Sequence, residues 1–182
     1  MMKGYTLIEV LVVVFIILLL TGGSLAAFGN FSKSSTLKQA GLNLKNSLRE
    51  VQSKAFTGEK DCNVSTSVCK CYDNDPTDDY SLVGWRVDFS GTNYTIKGTC
   101  EDLNDPPDFY TFALSTVNLP SDVTFSSPPP YFEFTYYPKV AKILPGSTNR
   151  SICLQQGVNN YYKLVVEESG NIIDSGVQLS CP

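Results

Sequence analysis

Three sets of side chains in this 182-residue chain could do chemistry. At the N-terminus, Gly4-Tyr5-Thr6-Leu7-Ile8-Glu9 sets a carboxylate five residues after a glycine and directly before a long apolar run. A charge at that place is costly, so Glu9 marks a functional position, and its natural chemistry is to meet a cation. Six cysteines follow, Cys62, Cys69, Cys71, Cys100, Cys153 and Cys181, suited to disulfides or to zinc. Two acidic clusters complete the set: Asp73, Asp75, Asp78 and Asp79, then Glu101, Asp102, Asp105 and Asp108. The chain has no histidine, which removes Ser-His and Cys-His nucleophiles and histidine-ligated metals. No Gly-rich phosphate loop follows a strand pattern. The expectation is a protein that is not an enzyme and needs no cofactor.

An even number of cysteines, all beyond the apolar run, favours disulfides in an exported domain. The preferred scheme joins Cys153 to Cys181, tying the C-terminal tail to a sheet. Cys62, Cys69, Cys71 and Cys100 would then bridge the loops around the first hairpin, with other pairings open. Cys69 and Cys71 pair elsewhere more readily than with each other. A zinc site from Cys62, Cys69, Cys71 and Cys100 is the rival, but paired Cys-x-x-Cys knuckles are missing. Asp73, Asp75, Asp78 and Asp79 are calcium candidates only in composition. Asp78 stands where the calcium loop needs glycine, and Gly84 where it needs glutamate. Solvated loops around Pro76, Pro106 and Pro107 are the favoured reading of both clusters, since charge runs alone specify little.

The elements that carry these groups differ sharply. From Val10 to Ser32 no residue is charged, a length that matches the roughly 20 apolar residues of a spanning helix. Leu37, Ala40, Leu44, Leu48, Val51 and Ala55 then recur three and four apart, one apolar stripe of a continuing helix that stops at Gly58. From Tyr5 to Thr57 such a helix would measure about 80 Å. Gly22-Gly23 is a candidate soft spot within it. Beyond Gly58 the pattern turns to period two, with strands expected over 82–89, 93–99, 109–116, 123–125, 131–137, 140–144, 151–155, 161–167 and 171–174. Phe109, Tyr110, Phe112, Tyr131, Phe132, Phe134, Tyr136 and Tyr137 alternate as core and outer positions of such strands would. The fold class is α+β: a long N-terminal helix, transmembrane and then amphipathic, packed on an antiparallel β-sheet head.

Charge is sorted along the chain. Residues 33–60 hold six Lys/Arg against Glu50 and Glu59, whereas the residues from Asp61 onward hold seven against fifteen Asp/Glu. An acidic head on a basic stalk suits protein contacts better than phosphate binding. Lys3 precedes the apolar run, and Lys33, Lys38, Lys45 and Arg49 follow it, so a positive-inside count keeps the C-terminal part cytoplasmic. That rule weakens for long translocated domains, and the cysteines favour export.

Three readings of the N-terminus compete. A secretory signal peptide would be cut after Ser24-Leu25-Ala26, but it does not want Glu9. A plain signal anchor fits the hydropathy. The third comes from likeness: Gly4-Tyr5-Thr6-Leu7-Ile8-Glu9-Val10-Leu11 resembles the leader and mature start of type IV pilins and pseudopilins. That resemblance implies cleavage between Gly4 and Tyr5 by a prepilin peptidase, N-methylation of Tyr5, and a pilin-like fold. It also implies that Glu9 meets the amino terminus of a neighbouring subunit. The family's usual first mature residue is phenylalanine, and Tyr5 keeps the ring.

Further stretches are similar to the pseudopilin H and FimT-like (GspH/FimT) family. These are Ser47-Leu48-Arg49-Glu50-Val51-Gln52-Ser53-Lys54-Ala55, Gly84-Trp85-Arg86-Val87-Asp88-Phe89, Leu119-Pro120-Ser121-Asp122-Val123-Thr124-Phe125, and Tyr162-Lys163-Leu164-Val165-Val166 with Ser169-Gly170-Asn171-Ile172. The likeness implies a minor subunit of a type IV pilus or type II secretion pseudopilus, in its initiation or tip complex. Its implied partners are other pilins, the prepilin peptidase and the inner-membrane assembly platform. Some FimT-like members bind DNA through a basic C-terminal motif. Here Lys163 is the last basic residue, so no nucleic acid is expected. The domains expected are a leader at 1–4, a transmembrane and assembly half at 5–32, an amphipathic half at 33–58 and an exported disulfide-bearing head at 59–182. The protein would sit in the cytoplasmic membrane by a single pass and then enter the filament. The alternative is a membrane-anchored exported binding module or adhesin that does not polymerise.

Overall fold

The computed structural model describes residues 6–60, 62–63, 68–69, 71, 80–102, 109–136, 140–143 and 150–181. The side chains of 23–31, 62–63, 68–69, 80, 102, 110 and 142–143 lie outside that description. The chain divides into two compact units, Met1–Thr36 and Leu37–Pro182.

One helix, α1, covers Leu7–Thr57 without a break at Gly22-Gly23. It ends as a Schellman motif. Gly58 takes φ +69°, its N–H donates to the Ala55 carbonyl (3.1 Å), and Glu59 N–H donates to the Lys54 carbonyl (2.9 Å). Glycine reaches that left-handed conformation without a Cβ penalty.

Eleven strands follow among the described residues: β1 Cys62–Asn63, β2 Val68–Cys69, β3 Tyr80–Ser90, β4 Asn93–Asp102, β5 Phe109–Asn118, β6 Thr124–Ser126, β7 Tyr131–Thr135, β8 Ala141–Ile143, β9 Ser151–Gln155, β10 Tyr161–Val166 and β11 Ile172–Gln178. All pairings are antiparallel. They form a five-stranded sheet in the order β5-β4-β3-β7-β8, a four-stranded sheet in the order β11-β10-β9-β6, and the small ribbon β1-β2. The alternation of apolar residues places β3 to β11 closely. β6 begins one residue later than the pattern suggests, and β11 runs on to Gln178 because Gly176 supports a bulge opposite Lys163/Leu164. β1 and β2 are two residues each, too short for a period-two signal.

Within the second unit, the stripe Leu37, Leu44, Leu48, Val51 and Ala55 is wholly buried. It shares one core with Trp85 and Phe134 of the larger sheet and Leu154 and Leu164 of the smaller. Four polar bonds fix this helical stretch and the residues just after it to the strands and their turns. Ser47 Oγ and Tyr94 OH share a bond of 2.9 Å, Gln52 donates to the Gly170 carbonyl (2.7 Å), Lys45 meets Asp174 (3.1 Å), and Trp85 Nε1–H donates to the Glu59 carbonyl (2.8 Å). Of the aromatic positions, Phe112, Phe132 and Phe134 are buried, whereas Phe109 and Tyr136 are exposed and Tyr131 is half-buried. Tyr137 and the Tyr110 side chain lie outside the described residues.

Candidate assembly site

Gly4 and Tyr5 lie outside the described residues, and the described site begins at Thr6. Thr6 is the residue before α1, and Glu9 occupies its third helical position. The Glu9 N–H donates to the Thr6 carbonyl (3.1 Å) and to Thr6 Oγ1 (3.4 Å). This is one arm of a capping box, Thr-x-x-Glu, which satisfies amides that a helix start otherwise leaves unpaired. Sequence reasoning assigned no role to Thr6, although the Thr6-Leu7-Ile8-Glu9 spacing carries that signal.

Glu9 itself is exposed. From Leu7 to Leu20 every apolar side chain is exposed as well, from 49% at Val12 to 83% at Leu7. A helix that is apolar all round has no hydrophilic side to turn to water. Burying such a stretch is worth on the order of 20 kcal/mol or more, at 1.5–3 kcal/mol for each large side chain. It therefore requires lipid or other helices around it. A carboxylate on its first turn is favoured by the helix dipole, and among the described residues no cation is paired with it. Of the span expected over 5–32, Tyr5 and the side chains of 23–31 lie outside the described residues. Among the described residues no helix is long and apolar enough to cross a membrane. The described apolar side chains, 7–20, are fewer than a span needs.

The cysteines that the structure describes are in disulfides. Cys71 is joined to Cys100, with Cα atoms 5.5 Å apart, and Cys153 to Cys181, with Cα atoms 6.3 Å apart. Among the described residues no cysteine is free. The Cys71–Cys100 bond removes two of the four sulfurs that the zinc alternative requires. The side chains of Cys62 and Cys69 lie outside the described residues, and the backbone register pairs these two positions across β1 and β2. The calcium candidates Asp73, Asp75, Asp78 and Asp79 also lie outside, as do Asp105, Asp108 and the Asp102 side chain. No metal-ligating cluster occurs among the described residues.

A polar cluster that sequence reasoning did not single out lies between α1 and the smaller sheet. Asp174 accepts from Tyr162 OH (2.8 Å), Lys45 Nζ (3.1 Å) and the Gly176 N–H (2.9 Å). Burial pushes the Asp174 carboxyl up. The bonds from Tyr162, Lys45 and Gly176 and the charge of Lys45 outweigh that and hold it below the usual range. Tyr162 is pushed well above the ordinary tyrosine range, first by burial and then by its bond to the Asp174 anion and that anion's charge. No spacing rule links residues this far apart in the chain. The cluster anchors the helix to the head.

Residues 1–25 match the model of the prokaryotic N-terminal methylation motif. The match indicates a type IV pilin-like protein, and the helix followed by antiparallel sheets is consistent with a pilin-like fold. Such a motif implies a membrane-anchored precursor, processing by a prepilin peptidase and assembly with pilins. No curated protein matches the chain, and no solved structure does.

Proposed function

We propose that the chain is a minor pilin or pseudopilin subunit of the pseudopilin H and FimT-like kind, serving the initiation or tip complex of a type IV pilus or type II secretion pseudopilus. A prepilin peptidase cuts between Gly4 and Tyr5, Tyr5 is N-methylated, and residues 10–32 hold the precursor in the cytoplasmic membrane with the head exported. In the filament, the exposed Glu9 meets the amino terminus of a neighbouring subunit, which sets the axial register of the helices. The observation that carries this reading is an apolar helix, exposed on every side, whose first turn holds one unburied carboxylate. Assembly supplies both the apolar surroundings and the counter-ion.

The test compares the parent with Glu9→Val in a strain carrying its own assembly machinery. The variant is expected to insert and be processed normally, with a mass showing a methylated Tyr5 start, and to be absent from purified filaments. Normal incorporation of Glu9→Val would overturn the role of Glu9. A mature N-terminus at Met1 or near Ala26 would instead support an anchored exported binding module.

A further inference from the structure

We propose that the end of the head nearest Leu37 carries an apolar rim, made by Val158, Val177 and Leu179, that rests on the anionic headgroups of the bilayer. This rests on the reading of the N-terminal segment as a membrane anchor. The rim's place follows from contacts within the head. Gly41 lies against the Tyr162 ring, Lys45 meets Asp174, and Gln52 bonds the Gly170 carbonyl. The β10-β11 hairpin therefore runs along the helix, with its Gly170 turn at the C-terminal end and Tyr162 toward Leu37. Beyond Tyr162 in that direction come the rung Tyr161–Gln178, the turn at 157–160, and Leu179.

Val158 is 85% exposed, Leu179 81% and Val177 45%. Single exposed apolar residues are ordinary, but the backbone holding these is braced. Gly157 and Asn159 on either side of Val158 take φ +68° and +60°, and Gln155 Nε2 donates to the Gly157 carbonyl (2.9 Å). The Cys153–Cys181 bond ties down the tail that carries Leu179.

Two facts select lipid as the occupant. Lys33, the first charge after the uncharged run, precedes Leu37 by four residues, which even an extended chain keeps within about 15 Å. The head therefore begins within reach of the headgroup layer of any bilayer that holds that run. Lys33 and Lys38 are exposed cations, which favour an anionic surface. Asp122 is the carboxylate on the adjoining loop, and it accepts a bond from Gln156.

Hydrogen exchange of the full-length chain, one copy per lipid nanodisc, tests the inference at residues 155–160 and 177–181. Exchange there is expected to be about tenfold slower in phosphatidylglycerol than in phosphatidylcholine discs. High salt, Lys33→Gln with Lys38→Gln, or Val158→Ser with Leu179→Ser should each abolish the slowing. Equal exchange in the two lipids, with the chain still retained in the disc, overturns the rim and leaves the anchor standing. Loss of the chain from the disc during size exclusion overturns both. Slowing that appears only with two copies per disc assigns the surface to a second subunit and also overturns the proposal.

Discussion

A Cβ on Gly41 would lie 2.2 Å from Cδ1 of Tyr162, so the helix and the smaller sheet approach each other through the face of one ring. Tyr162 is fixed in turn by Asp174 and cannot swing aside without breaking that bond. Gly41→Ala is therefore expected to lower stability by about 1–3 kcal/mol, the usual cost of overpacking a filled core. Chemical denaturation of the variant beside the parent measures it, and an unchanged midpoint would show that the ring yields freely.

The carboxylate at the centre of that contact makes stability depend on pH. Asp174 has a lowered folded pKa, so its contribution is present above the unfolded value near 4 and is lost as pH falls through the folded value. Asp174→Asn should cost about 1–3 kcal/mol at neutral pH. The gap between parent and variant should close progressively below about pH 4, as thermal melts across that range would record.

Tyr162 acts at the other end of the scale. Its folded pKa is raised, so its contribution is present below the unfolded value near 10 and is lost as pH climbs through the folded value. Tyr162→Phe removes this ionisation, and the variant should lose less stability than the parent between about pH 10 and 12. Parallel alkaline melts that coincide would count against the Asp174–Tyr162 coupling.

The two described disulfides close loops of nearly equal length, with sequence separations of 29 and 28. Cys153 and Cys181 are separated by 28 residues and fix a tail whose Leu179 is almost fully exposed. Replacing both by alanine should cost about 3–4 kcal/mol through the unfolded chain's extra freedom. With four cysteines committed, Cys62 and Cys69 remain, and they share a rung of β1-β2. Peptide mapping of unreduced protein is expected to recover a peptide pair joined at these two residues. A free thiol at either position would refute that pairing.

At the helix start, Thr6→Ala removes the oxygen that accepts the Glu9 amide. A loss of about 1 kcal/mol in helix stability is expected. Circular dichroism of residues 5–36 in lipid micelles would register it as fraying of the first turn.

Much of this molecule was legible from local pattern alone. The uncharged run from Val10, the stripe from Leu37 to Ala55 and the alternation through β3 to β11 each report their surroundings at one residue's reach. Side chains three or two positions apart must share a face whatever the rest of the chain does. The Gly4-to-Glu9 order likewise carried its likeness to pilins without any fold. What the tertiary structure alone decided was every relationship between distant residues. It divided the strands into two sheets, matched Cys71 with Cys100 and Cys153 with Cys181, left Gly41 bare to admit Tyr162, and gathered Lys45, Tyr162 and Asp174 around one anion. Those pairings depend on sheet order and register, which long-range packing selects from many chains of the same local pattern.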